Sequence, residues 1–254
     1  MGDALAIIFL GSGGSEGIPC PNCNCPACSE AKLYVFERRR QTSVLITDFV
    51  SDIIVDAGFN ILEELEFLSP DAILITHWHY DHIMGLFSLS WSRKHIPLYA
   101  PHDPLNDVFE SFLREARSLD LAFLTPFKEV KIGKFKITPV PLEHTVPTLG
   151  YLIEHESGNI AILFDTKGLP KQTLNFLKRK HIDIALVDAT YAPGVFKLDH
   201  NNVDEAVETG LKIRASRIVL THITHNNLPY SKLSAYVRKW PNVEIALDGM
   251  VLNL

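Results

Sequence analysis

The 254-residue sequence has no apolar run approaching the roughly 20 residues that a membrane helix requires, so no spanning segment is expected. It also lacks a basic leader with a small-residue cleavage site. After Asp3 it enters Leu5-Ala6-Ile7-Ile8-Phe9-Leu10 directly, which reads as a first strand and points to a cytoplasmic protein. Positive charge is scarce: 24 Lys and Arg stand against 30 Asp and Glu, a formal net charge of −6, and Arg38-Arg39-Arg40 is a compact basic cluster. This speaks against a protein that covers long stretches of nucleic acid, whose phosphates demand clustered cations. No Gly/Ser linker separates two halves, so a single domain over residues 1–254 is expected. Cysteine is limited to Cys20, Cys23, Cys25 and Cys28. They are too tightly spaced for a disulfide framework and well spaced for a metal, again in keeping with the cytoplasm.

A hydrophobic content of 46% suffices for a packed core. Short apolar runs predict strands at 5–10, 43–47, 53–55, 72–75, 97–100, 135–140, 151–153, 160–164, 184–187, 218–220 and 243–246. Apolar residues at helical spacing predict helices over 61–68, 83–91, 105–119, 172–179, 203–213 and 231–239. Leu169-Pro170 and Asn202 are suited to start two of them. Ala72-Ile73-Leu74-Ile75-Thr76-His77 is echoed by Arg217-Ile218-Val219-Leu220-Thr221-His222, an apolar strand ending in Thr-His. Two stacked sheets flanked by helices would bring both ends to one rim.

The most informative segment is Thr76-His77-Trp78-His79-Tyr80-Asp81-His82, between an apolar strand and a helix. In extended backbone His77 and His79 project to one side, so a single ion meets two imidazoles. Asp81 and His82 follow as the chain turns, and can serve a second ion or its water. Imidazole and carboxylate suit Zn, Mn or Fe alike. The motif resembles the signature of the metallo-β-lactamase superfamily. That resemblance implies an αββα sandwich of the α+β class, two mixed sheets flanked by helices. It also implies three more ligands in order: His144 in Pro141-Leu142-Glu143-His144, Asp165 in Leu163-Phe164-Asp165-Thr166, and His222. His77, His79, His144 and Asp165 would then hold one divalent metal, Mn or Zn. Asp81, His82, Asp165 and His222 would hold the other. Asp56, in Val55-Asp56-Ala57-Gly58, is expected to orient a ligand or the loop backbone.

Cys20 to Cys28 form a Pro-rich loop suited to a structural Zn, which wants four ligands in a tetrahedron. Either all four cysteines bind, or Cys23, Cys25 and Cys28 are joined by a distant His. A narrower resemblance bears on this: the glycine-rich start, the Cys-x-Cys-x-x-Cys run and the closing Thr-His-x-x-His are similar to the phosphoribosyl 1,2-cyclic phosphate phosphodiesterases of the carbon–phosphorus lyase pathway. Their pattern implies Cys23, Cys25, Cys28 and His225, with Cys20 as a departure. It further implies hydrolysis of a small cyclic phosphate or nucleotide-like diester by a two-metal-activated hydroxide, with Asp81 and His200 as catalytic residues and His200 protonating the leaving oxygen. Lys167 could meet a substrate phosphate. The expected partners are a small phosphodiester substrate and a second copy of the chain in a homodimer, with neither extended nucleic acid nor a membrane. Other members of the superfamily suggest a tRNA-processing endoribonuclease, a thioester or lactone hydrolase, or a pyrroloquinoline quinone synthesis B-like protein.

Overall fold

A computed structural model describes residues 4–59, 61, 68–89, 91–103, 113 and 116–254. In chain order the elements are β1 (Ala6–Gly11), α1 (Pro26–Leu33), β2 (Ser43–Thr47), β3 (Asp52–Val55), β4 (Ala72–Leu74), α2 (Tyr80–Ile83), α3 (Leu86–Leu89), β5 (Ile96–Ala100), β6 (Leu119–Phe123) and β7 (Val130–Ile132). They continue with β8 (Phe135–Pro141), β9 (Leu149–His155), β10 (Gly158–Leu163), α4 (Lys171–Leu177), β11 (Ile184–Asp188), α5 (Val203–Lys212), β12 (Arg217–Thr221), α6 (Tyr230–Val237), β13 (Val243–Ile245) and β14 (Val251–Asn253).

The strands form two seven-stranded mixed sheets, in the orders β14-β1-β2-β3-β4-β5-β6 and β13-β12-β11-β10-β9-β8-β7. Side chains alternate across each strand, so a run that is apolar throughout needs cover on both faces. The pattern obeys this. Ile7, Phe9, Ile53, Val55, Ile160, Ile162, Ile184 and Leu186 meet in one core between the sheets. Their neighbours Ile54, Ile73 and Ile75 face a second core with Ile83, Leu86 and Leu89 from α2 and α3. Ala185, Val187, Ile218 and Leu220 face a third, with Leu177 of α4, Val203 and Val207 of α5 and Leu233 of α6. Helix, sheet, sheet and helix therefore stack as four layers.

Parallel pairing of β3 with β4, and of β10, β11 and β12, delivers the ends of these strands to one rim. α5 starts at Asn202, whose side chain accepts from Glu205 N while Glu205 bonds back to the Asn202 amide. The predicted helix over 83–91 is two short turns, α2 and α3, and begins three residues earlier, at the ligand segment. The predicted helices over 61–68 and 105–119 fall largely outside the described residues; Leu119 opens β6 instead. The Thr-His echo is not a matched pair in the topology. Counted from β14 and from β7, β4 is fifth in its sheet and β12 sixth.

Candidate metal centre

His77 lies at the end of the extension of β4 and is fully buried. The Thr76 hydroxyl donates to Asp56 Oδ2 (2.8 Å) and lies 2.9 Å from His77 Nδ1. Its proton being committed to Asp56, the hydroxyl can only accept, which puts the His77 proton on Nδ1 and leaves the Nε2 lone pair facing the rim. Asp56 Oδ2 also lies 2.7 Å from His82 Nδ1, fixing that ring the same way, and Asp56 Oδ1 accepts from Thr76 N (2.8 Å). His144 Nδ1 is 3.0 Å from the Asp199 carbonyl, so its Nε2 is likewise free to bind.

These rings converge. His77 Nε2 is 2.8 Å from His79 Nδ1, and His144 Nε2 is 3.3 Å from the same atom. Two nitrogens each about 2.0 Å from one tetrahedral ion stand roughly 3.3 Å apart. His82 Nε2 faces Asp81 Oδ2 (3.3 Å) and Asp165 Oδ2 (3.2 Å), and His222 Nε2 faces the same oxygens at 3.6 and 3.3 Å. The sequence-derived sets His77, His79, His144, Asp165 and Asp81, His82, Asp165, His222 are thus brought together, each with all ligand atoms within 4.8 Å of one another.

The donor set suits cations. His82 Nε2, His222 Nε2 and Asp165 Oδ1 are buried and make no hydrogen bond to protein. Buried polar atoms are ordinarily satisfied, so these unpartnered atoms among neutral imidazoles and carboxylates fit a site that takes a cation. Burial, and then neighbouring imidazoles, hold His77, His79 and His144 below the usual histidine range, in the neutral form a metal needs. Burial opposes charge on His82 too, yet Asp165, Asp81 and Asp56 push it well above that range. For Asp165, burial raises the carboxyl, but His222, His82 and His200 draw it well below the carboxylate range.

A second relay mirrors the first. Asp188 Oδ1 accepts from Thr190 N (2.9 Å) and Thr190 Oγ1 (2.6 Å), and that hydroxyl lies 2.9 Å from His222 Nδ1. Asp188 Oδ2 accepts from Thr166 N (3.0 Å) and lies 2.7 Å from His200 Nδ1. Burial disfavours the His200 imidazolium, but Asp188, then Asp165, push it up to about 10. Asp165, Asp188, His200 and His222 also converge within 4.8 Å. With both Asp188 oxygens already engaged, we read that set as a hydrogen-bonded clamp. Asp188 and Thr190 escaped the sequence reading. The available signal was their likeness to Asp56 and Thr76, a strand-end Asp paired with a Thr. Lys167 Nζ lies 2.6 and 2.7 Å from the Glu205 carboxylate, so its charge is matched within the protein.

In the cysteine loop, Cys23, Cys25 and Cys28 gather with His225, three residues beyond His222, all ligand atoms within 4.8 Å of one another. His225 Nδ1 is 3.2 Å from Cys23 Sγ and 3.8 Å from Cys25 Sγ, while its Nε2 is 3.3 Å from Glu16 Oε1. The Cys25 and Cys28 amides point at Cys23 Sγ and Cys25 Sγ, both at 3.5 Å. The Cys25 amide, then His225, draw the Cys23 thiol down to about 6. Cys20 stands apart from this set, its Sγ directed to the Pro21 carbonyl at 3.8 Å.

The chain is similar to known proteins of several descriptions. A diphosphatase of the PhnP family superposes with a TM-score of 0.84 at 26% identity, covering 99% of this chain and 97% of that one. Coenzyme PQQ synthesis protein B of Cupriavidus necator is 28% identical over 98% of this chain and 99% of its own length. An octanoyltransferase of Porphyromonas gingivalis is also 28% identical, over 87% of this chain, which spans only 46% of that protein. Ribonuclease Z of Thermococcus sibiricus is 24% identical over 92% of this chain and 90% of its own. The family described as the beta-lactamase superfamily domain matches residues 51–223, a span that holds Asp56, His77 to His82, His144, Asp165, Asp188, His200 and His222 and leaves the cysteine loop outside. By that match the chain belongs to the beta-lactamase superfamily, and its two stacked sheets are the metallo-β-lactamase fold.

Proposed function

We propose that the chain is a hydrolase of small phosphodiesters, cyclic phosphates or nucleotide-like diesters, acting in the cytoplasm with two divalent metals, Mn or Zn, at the rim and one structural Zn in the cysteine loop. The observation that carries this reading is Asp165 Oδ2, which stands 3.7 Å from His77 Nε2, 3.2 Å from His82 Nε2 and 3.3 Å from His222 Nε2, between the two sets of imidazoles. When bound, two divalent ions would supply Lewis acidity, making water a nucleophile near neutral pH and neutralising charge on phosphoryl oxygens. His77, His79 and His144 would hold one ion and Asp81, His82 and His222 the other, with Asp165 shared.

The remaining work falls to the chain's own groups. Asp81 lines the cleft beside His79, where it can accept a hydrogen bond from the attacking water and orient it. His200 is held by Asp188 through Nδ1, which leaves Nε2 to give a proton to the departing alkoxide. Asp188 keeps the ring in place before and after that transfer. The diphosphatase neighbour supports phosphorus over carbon as the centre attacked.

The test is removal of metal by a chelator and return of Mn or Zn, read by hydrolysis of bis(p-nitrophenyl) phosphate and a 2′,3′-cyclic nucleotide. Activity should vanish and return with the metal. Full metal content with no turnover of any diester would overturn the reading and favour the chemistry of the PQQ synthesis relative. The ribonuclease Z relatives support a second reading, cleavage of tRNA precursors. Selective cleavage of a precursor over small diesters would establish it, against the expectation set by a net charge of −6.

A further inference from the structure

A cleft of about 400 Å³ opens beside His79 and Asp81, and its other lining residues among those described are Ser15, Gln41, Phe59, Tyr80 and Met84. None of these is Lys or Arg. Two aromatic side chains face solvent at this mouth, Phe59 at 49% exposure and Tyr80 at 69%.

Phe59 is held in register with the ligands. Its loop begins at Asp56, where φ is +59°, and Asp56 anchors Thr76 and His82. Ala57 N then donates to the His82 carbonyl (2.7 Å), and Gly85 N donates to the Ala57 carbonyl (2.8 Å). The approach is too close for side chains: a Cβ on Gly85 would stand 2.6 Å from the Gly58 carbonyl, and one on Gly58 would stand 2.8 Å from the Gln41 carbonyl. The segment that sets His82 therefore also sets the backbone leading into Phe59, which keeps that residue beside the centre.

We infer that the group beyond the scissile phosphate is flat and uncharged, a nucleobase or comparable aryl ring seated against Phe59, and that sugar diesters bearing a second phosphate are poor substrates. This rests on the phosphodiesterase reading above. A second phosphate in this cleft would be partly desolvated with no Lys or Arg among the described lining residues to receive it. Arg40, next to the lining residue Gln41 in sequence, and Lys167, two residues after Asp165, are engaged by Asp248 (3.5 Å) and Glu205. A base, by contrast, gains a stacking surface on Phe59 that water now covers.

Three diesters separate these alternatives with the metal-loaded protein: adenosine 2′,3′-cyclic phosphate, ribose 1,2-cyclic phosphate, and ribose 1,2-cyclic phosphate carrying a 5-phosphate. KM should be lowest for the adenosine compound, and the 5-phosphate should not lower KM relative to the plain sugar. Phe59→Leu should raise KM for the adenosine compound roughly 5- to 100-fold, the range of base–aromatic stacking, and should raise it far less for the sugars. Phe59→Tyr should restore it. A 5-phosphate compound with the lowest KM, or equal shifts on all three in Phe59→Leu, overturns the inference while leaving a phosphodiesterase in place. If no diester turns over, the phosphodiesterase reading fails and calorimetry still decides the subsite. Adenosine 2′-phosphate binding that weakens in Phe59→Leu supports it, and tighter binding of ribose 1,5-bisphosphate refutes it.

Discussion

Exchanging Asp56 for asparagine changes the metal centre without changing its volume. In Asp56→Asn the amide oxygen can keep the bond from Thr76 N, which places the NH₂ where Oδ2 stood, opposite Thr76 Oγ1 and His82 Nδ1. An NH₂ can only donate. His82 must then accept at Nδ1 and carry its proton on Nε2, the atom that faces Asp81 and Asp165. The Thr76 hydroxyl, now accepting from the amide, turns its own proton to His77 Nδ1 and moves that ring's proton to Nε2 as well. One ligand of each ion would be blocked. Partners of metal-bound histidines are worth about 10- to 100-fold in affinity, or about 1.4–2.8 kcal/mol, so that loss is expected at both positions. The folded, metal-free protein should also lose stability, because Asp56 faces the buried His82 ring at 2.7 Å and helps hold it charged. Competition with a chromophoric chelator, with zinc in the cysteine loop counted separately, measures the affinity, and thermal unfolding of the metal-free chain measures the scaffold. Affinity within twofold of the parent would refute the tautomer argument.

Asp165→Ala should lose both rim ions together, since its Oδ2 faces both sets of ligands; metal analysis showing two retained ions would contradict a shared carboxylate. His200→Ala should keep its metals and lose about 10²- to 10⁴-fold in turnover on a 2′,3′-cyclic nucleotide, but much less on bis(p-nitrophenyl) phosphate, whose leaving group needs no proton. In the metal-free chain the Cys23 thiol falls from its ordinary 9.0 to about 6, so its stabilising effect is full above pH 9, shrinks as pH falls and is gone below about 6; unfolding midpoints across that window test it. Tyr151→Phe removes the hydroxyl that donates to the Ile75 carbonyl (2.5 Å) in the central core, and should cost about 1–2 kcal/mol in urea unfolding without touching the metals.

The strands of both sheets were legible because they are buried on both faces, which writes them as unbroken apolar runs such as Ile160 to Phe164. The edges were not. β7 and β14 have three residues each, too few for a pattern, and β6 was hidden because helical spacing from Leu105 runs on into Leu119. The α1 helix went unread because its thiols drew the reading to metal, although Cys25 serves as its N-cap. At the centre, the ligands His77 to His82 are neighbours in sequence and so announce themselves. Thr190 acts on His222 32 residues further on, and Asp188 acts through Thr166, 22 residues back, on the Asp165 segment, and no local spacing encodes that.

His222 and His225 sit on one short stretch after β12, and the residue next to His222, Ile223, accepts from Gly14 and donates to Ser12 in the segment that follows β1 of the opposite sheet. That stretch is therefore a joint, not a free strand end. An ion held by the cysteine loop would restrain His225 and, three residues back on the same stretch, His222 at the rim, so occupancy of the two sites is expected to be coupled through this joint.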